Sequence, residues 1–138
     1  MKAGAHEVVR GGPELAAQVK ALAPEGVDHI VEVAFDANLE SDLQALKLGG
    51  SIAAYATGQG RPAIPFWQMV FQNTRLFFLG SDDFPKEAKA AAAQDLNTAL
   101  QVGWPGFEIG ERIPLAEIAR AHELAEAPGR GGRIVVTL

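Results

Sequence analysis

The chain has 138 residues, a length that fits one compact domain and leaves no room for a separate catalytic module. Its 12 Lys and Arg against 17 Asp and Glu give a net charge of -5, with no basic cluster to neutralise phosphates, so no nucleic acid is expected as a partner. Cysteine is absent, which excludes disulfides and thiolate metal sites, and the three histidines are scattered, so no metal site is expected.

The segment from Met1 to Glu7 lacks the apolar stretch of a signal peptide, and no later run approaches the roughly 18 apolar residues of a membrane span. A cytoplasmic protein without a membrane partner is expected.

Taken in chain order, two kinds of apolar pattern alternate. His6-Glu7-Val8-Val9 predicts a short, weak strand. Leu15, Val19 and Leu22 have helical spacing after Pro13, which suits a first helical turn because its missing N–H is not needed there. The stretch from Val27 to Phe35 is short, β-branched and bounded by Gly26 and Asp36, as a buried strand should be. Leu39, Leu43 and Leu46 predict a helix, with Asp36 placed to cap it and Gly49 to stop it. Ser51 to Thr57 is the next strand, Phe66 to Asn73 a short helix, and Arg75 to Gly80 another strand. Ala88, Ala92, Leu96, Ala99 and Leu100 follow Pro85 as a long helix, and Leu115, Ile118, Ala119 and His122 follow Pro114 as a shorter one. Gly103 to Gly110 reads as irregular, Pro128 to Gly132 as flexible, and Arg133 to Leu138 as the last strand.

Strands alternating with helix-length returns predict the α/β class, with a mostly parallel sheet covered by helices on both faces and residues 1–138 forming one domain.

The Gly-x-Gly-x-x-Gly turn that cradles a pyrophosphate in nucleotide-binding sheets does not occur. Thr57-Gly58-Gln59-Gly60-Arg61 offers a single Gly-x-Gly, for which a plain turn is a better reading than an anion cradle. No nucleophile elbow is present, and Ser41, Ser51 and Ser81 have no partners at triad spacing. His122 lies on the apolar stripe of its helix and reads as a packed histidine; Asp82-Asp83 read as capping charges before Pro85, and Phe77-Phe78 as core. No catalytic residue is assigned.

The order of segments resembles the medium-chain dehydrogenase/reductase superfamily, specifically its zinc-independent quinone oxidoreductases of the zeta-crystallin type. Gly4-Ala5-His6-Glu7-Val8, Gly26-Val27-Asp28 with Glu32, Ala37-Asn38-Leu39 with Asp42-Leu43, and Leu48-Gly49-Gly50-Ser51-Ile52 carry the first part of the resemblance. Pro114-Leu115-Ala116-Glu117, Ala121-His122-Glu123 and Gly132-Arg133-Ile134-Val135 carry the last.

The resemblance implies a partial Rossmann-like domain lacking its first two strands, the glycine-rich turn and the substrate domain. It implies hydride transfer from NADPH to a quinone or enone acceptor as the parent activity, with weak or no NADPH binding by this chain alone. The cofactor-binding residues it implies are Ala34, Phe35, Asn38, Tyr55, Ala56, Thr57, Phe78, Leu79 and Gly80. Asp36 beside an anionic cofactor is unfavourable unless it caps its helix. The resemblance further implies a homodimer paired through the Arg75–Gly80 edge strand, and a missing N-terminal half as a partner. The alternative is a non-catalytic dimerisation or interaction module derived from the same fold.

In the family's strand order, 3-2-1-4-5-6, the two absent strands sit between the strand like His6–Val9 and the strand like Val27–Phe35. An open gap there would strand buried peptide groups at about 1–3 kcal/mol each. Three closures are open: His6–Val9 moves beside Val27–Phe35, the C-terminal strand inserts, or another chain supplies the strands. The first is expected, because a helix near residues 13–23 is long enough for the crossover.

Overall fold

The computed structural model describes residues 4–129 and 131–138, so Met1, Lys2 and Ala3 of the signal-peptide reading and Arg130 of the flexible stretch lie outside the described residues. The described residues divide into two compact units, Glu7–Lys86 and a second that joins Glu87–Leu138 to residues 4–6.

The unit Glu7–Lys86 holds α1 (Leu15–Leu22), β1 (Val27–Glu32), α2 (Phe35–Ala45), β2 (Leu46–Ala54), α3 (Phe66–Phe71) and β3 (Arg75–Phe78), then a short 3-10 turn at Ser81–Asp83. The three strands form a parallel sheet in the order β1-β2-β3. Ile30, Ile52 and Leu76 stand in one register row across it. Alternation puts that row on the face where α2 and α3 pack, so Phe35, Leu39, Leu43, Leu46, Ile52, Ala54 and Met69 make one buried cluster with Ile30 and Leu76 against it. Leu43 and Ile52 are fully buried, and burying each such side chain is worth about 1.5–3 kcal/mol.

Gly26 makes the entry into β1 feasible. Its φ is +91°, and a Cβ there would stand 2.6 Å from the Ala45 carbonyl oxygen, where α2 passes into β2.

The second unit holds α4 (Lys86–Gln101), β4 (Ile109–Pro114), a 3-10 turn at Leu115–Glu117, α5 (Ile118–Glu126) and β5 (Arg133–Thr137). β4 and β5 form a two-stranded parallel sheet with Ile113 opposite Val136. α5 covers it, burying Ile113 and Ala121. The two glycines Gly110 and Gly132 let these strands start side by side, since a Cβ on Gly132 would meet the Gly110 nitrogen at 2.5 Å. Arg133 lies over the Phe107 ring, 4.9 Å from its centroid.

The structure corrects six expectations. His122 is exposed rather than packed, and Phe77 and Phe78 stand exposed rather than in the core. Residues 6–9 form no strand, and β5 lies against β4, so neither intrachain closure of the gap is found and β1 is the outermost strand of its sheet. The stretch expected to be irregular contains the start of β4, whose charged residues Glu111 and Arg112 mask its alternation. Ala34, not Asp36, is the N-cap of α2, and the Asp36 side chain turns toward the loop after β2. The helix also ends at Ala45, well before Gly49, because Leu46 enters the extended region and is drawn into the core as the first residue of β2.

Candidate functional site

The carboxyl ends of three parallel strands converge where open α/β sheets place their ligands. The backbone ties them there: Tyr55 N–H donates to the Glu32 carbonyl at 3.1 Å, Phe35 N–H to the Ala56 carbonyl at 3.1 Å, and Leu79 N–H to the Ala54 carbonyl at 2.9 Å. The three segments following β1, β2 and β3 are thereby fixed side by side, and between them lies a cleft of about 620 Å³.

Seven of the nine residues singled out from the sequence line this cleft: Phe35, Tyr55, Ala56, Thr57, Phe78, Leu79 and Gly80. Ala54, Pro62 and Ile64 complete it. The last two follow the Gly-x-Gly in the loop between β2 and α3, in a stretch that carried no motif; only its apolar character could have placed it against the strand ends. Phe35 and Phe78 meet edge to face with centroids 5.7 Å apart at 78°, a favoured aromatic arrangement. Phe35 is buried whereas Phe78 and Tyr55 are exposed, so a buried ring lies at the cleft base and exposed rings stand at its rim.

Ala34 and Asn38 do not line the cleft. They are engaged by Glu32, whose carboxylate accepts the Ala34 N–H and both contacts from the Asn38 side-chain amide, each 3.2 Å. Glu32 is buried at the end of β1, and Asp42 is buried beside it on α2. Burial, and then the Glu32 carboxyl with its hydrogen bond and charge, push the Asp42 carboxyl up to about 7. Asp42 Oδ2 has no hydrogen-bond partner. The sequence signal for this pair is that Glu32 falls on the inward alternation of β1 and Asp42 beside Leu39 and Leu43 on the apolar stripe of α2.

Asp36 organises the rim. Its Oδ1 accepts the Gly58 N–H at 2.7 Å and the Thr57 hydroxyl at 2.9 Å. Those two donors hold the Asp36 carboxyl below the usual carboxylate range. The Thr57–Arg61 loop is therefore a turn whose Gly58 donor is taken by a carboxylate of the chain itself. Among the described residues there is no group of three or more His, Cys, Asp or Glu placed to hold a metal ion, and no helix is long and apolar enough to cross a membrane.

The model of the zinc-binding dehydrogenase family matches residues 3–136. The chain belongs to that family. The quinone oxidoreductase of Lama guanicoe is 28% identical over 142 residues, covering 98% of this chain and 42% of that protein. The human quinone oxidoreductase is 27% identical over 124 residues, covering 86% of this chain and 36% of its own length. Among solved structures, a mycobacterial quinone oxidoreductase superimposes with a TM-score of 0.81 at 22% identity, over 98% of this chain and 44% of that one. A mycobacterial structure complexed with NADPH gives 0.78 at 22% identity, over 98% and 43%. The chain thus spans about two-fifths of the length of these relatives, and the fold is the Rossmann-like part of the medium-chain dehydrogenase/reductase enzymes.

The lining fits part of a nicotinamide cofactor. A largely apolar slot with two exposed aromatic rings suits a flat ring, while the described residues offer no glycine-rich helix start for a pyrophosphate.

Proposed function

We propose that this chain is the cofactor-binding portion of an NADPH-dependent, zinc-independent quinone oxidoreductase-like enzyme of the cytoplasm, acting on a quinone or enone acceptor and inactive as an isolated chain. The observation that carries the reading is the cleft at the strand ends, in which seven of the residues expected from the resemblance come together.

When bound, the nicotinamide supplies the hydride. The chain's own contribution is orientation and exclusion of water: buried Phe35 forms a wall, Phe78 and Tyr55 cover the ring faces, and Thr57 offers a hydroxyl at the rim. None of these groups transfers a proton.

The β3 edge supports the expected homodimer. It is outermost in the sheet, carries Phe77 and Phe78 exposed, and has one charge, Arg75, whose guanidinium is directed to the Gly49 carbonyl at 2.7 Å. An apolar edge of this kind pairs readily with a second copy. The same exposed strand would serve the alternative, a non-catalytic dimerisation module.

Nicotinamide mononucleotide followed by NMR separates the two. Shifts confined to Phe35, Ala56, Thr57 and Gly80 are expected, with weak binding. Shifts scattered over the surface, or none at millimolar ligand, leave the dimerisation module as the better reading.

A further inference from the structure

Glu32 ends β1 and Phe35 begins α2, so Val33 and Ala34 make the whole turn between strand and helix. The free N–H groups of a helix start are ordinarily held by an N-cap side chain, and here the N-cap is Ala34, which has none to offer. The acid of the first turn, Asp36, is directed to the Gly58 N–H instead. Glu32 fills the vacant role from the strand. Its Oε1 accepts the Ala34 N–H, and Oε1 and Oε2 each accept from the Asn38 amide at 3.2 Å. One turn beyond Asn38 on the same face of α2, Asp42 lies buried beside the same carboxyl.

Packing alone does not account for an acid at this place. Glu32 is 5% exposed, and a carboxyl taken out of water costs stability that an apolar residue of similar volume would not. Its side-chain hydrogen bonds all run to one destination, the turn that carries Phe35. From the other side the Phe35 N–H donates to the Ala56 carbonyl at 3.1 Å, and the Asn38 N–H returns to the Ala34 carbonyl at 3.1 Å. The Glu32 carbonyl meanwhile receives the Tyr55 N–H at 3.1 Å, so one residue holds segments on both sides of the cleft. Phe35 is clamped between them, with its ring 1% exposed at the cleft base and 5.7 Å from the Phe78 ring. A binding geometry is kept to within about 0.5 Å only when the groups lining it are locked by hydrogen bonds behind them.

We propose that Glu32 is the positioning residue of the cleft: its carboxylate, holding the Ala34 N–H and the Asn38 amide, fixes the first turn of α2 and with it the Phe35 ring against which a nicotinamide ring packs. The proposal rests on the reading of the cleft as a nicotinamide site. Asn38 then serves as the anchor of that carboxylate rather than as a cofactor ligand. Glu32 does for the base of the cleft what Asp36 does for its rim.

The test compares variants of the full chain by NMR. Glu32→Leu removes both acceptor oxygens at similar size. It is expected to abolish the nuclear Overhauser contact between the Phe35 and Phe78 rings and to raise the dissociation constant for nicotinamide mononucleotide at least about fivefold. Glu32→Gln keeps an acceptor in the place of Oε1, the atom that receives both Ala34 and Asn38. It should restore the ring contact and hold the affinity within about twofold of the wild type. Asn38→Leu, at a half-buried position, severs one of the two holds and should fall between them; it carries the test if Glu32→Leu does not fold. Leu43→Ala lowers stability without touching the turn and should change neither readout. Ring contact and affinity intact in folded Glu32→Leu, or in Asn38→Leu where the former does not fold, overturn the proposal. So do a Glu32→Gln as damaged as Glu32→Leu and the same losses in Leu43→Ala. The ring contact is read without ligand, so a wild type that binds no nicotinamide mononucleotide sinks the nicotinamide reading and leaves the ring contact to decide the role of Glu32.

Discussion

Glu32 and Asp42 bury two carboxyl groups side by side between β1 and α2, and Asp42 Oδ2 has no hydrogen-bond partner. Burial and the neighbouring Glu32 carboxyl disfavour the ionised form of Asp42, so Asp42 holds a proton at a pH where an exposed aspartate would lose it.

The consequence is a stability that depends on pH in an unusual direction. The Asp42 carboxyl is raised from 3.8 to about 7, so between those values the folded chain keeps a proton that the unfolded chain releases. The stabilisation is present in full below the unfolded value and is lost as pH rises through 7. Asp42→Asn keeps a donor for Glu32 and does not titrate. Urea unfolding at pH 5 and pH 8 should show this loss in the wild type and a flatter response in the variant, which gains about 1–2 kcal/mol at pH 8. Equal slopes for the two proteins would refute a proton retained on Asp42.

Asp36 is expected to behave oppositely. Its carboxyl is held down by the Gly58 N–H and the Thr57 hydroxyl, so the link between α2 and the rim loop survives acidification until the pH falls through that depressed value. The Gly58 amide resonance should therefore titrate at a pH below that of an ordinary aspartate. Asp36→Ala should speed amide exchange at Gly58, and Asp36→Asn, which retains an acceptor oxygen, should restore most of the protection. An unchanged Gly58 amide in Asp36→Ala would show that the loop holds itself.

Much of this arrangement was legible in the chain. Val27–Glu32, Ser51 to Ala54 and Arg75–Phe78 announce themselves as short runs rich in β-branched or apolar residues, and the glycines and prolines between them mark the turns. Their order placed Phe35, Tyr55 to Thr57 and Phe78 to Gly80 at one end of the sheet, which is where the cleft lies. The roles of Ala34 and Asn38 were not legible, because a polar side chain after a strand looks the same whether it faces a ligand or satisfies a buried carboxylate; only the position of Glu32 decides. β4 was hidden for a related reason. A two-stranded sheet covered on one side needs few apolar residues, and Ile113 is its one fully buried position. The fate of residues 6–9 was misjudged because the cost of an open edge was weighed without the cost of ordering a short, half-polar segment beside it.

The exposed strand β3 predicts self-association. Its four residues supply few hydrogen bonds, so pairing depends on Phe77 and Phe78, which are 49% and 69% exposed. Sedimentation at micromolar concentration is expected to give a dimer for the wild type and a monomer for Phe77→Lys, since a charge on an edge strand discourages pairing. A monomeric wild type would remove β3 as an interface.

Phe78→Ala separates binding from stability at the cleft. The ring touches Phe35 at 5.7 Å yet remains largely exposed, so its removal should cost no more than about 1 kcal/mol of folding stability. Leu43→Ala, at a fully buried position away from the cleft, should cost about 2–5 kcal/mol. If Phe78 covers a bound ring, the ranking reverses for nicotinamide mononucleotide: Phe78→Ala should weaken binding several-fold, and Leu43→Ala, studied where it remains folded, should leave it nearly unchanged. Parallel effects of both substitutions on binding and unfolding would mean that the cleft merely reports the integrity of the sheet and that its aromatic rim holds no ligand.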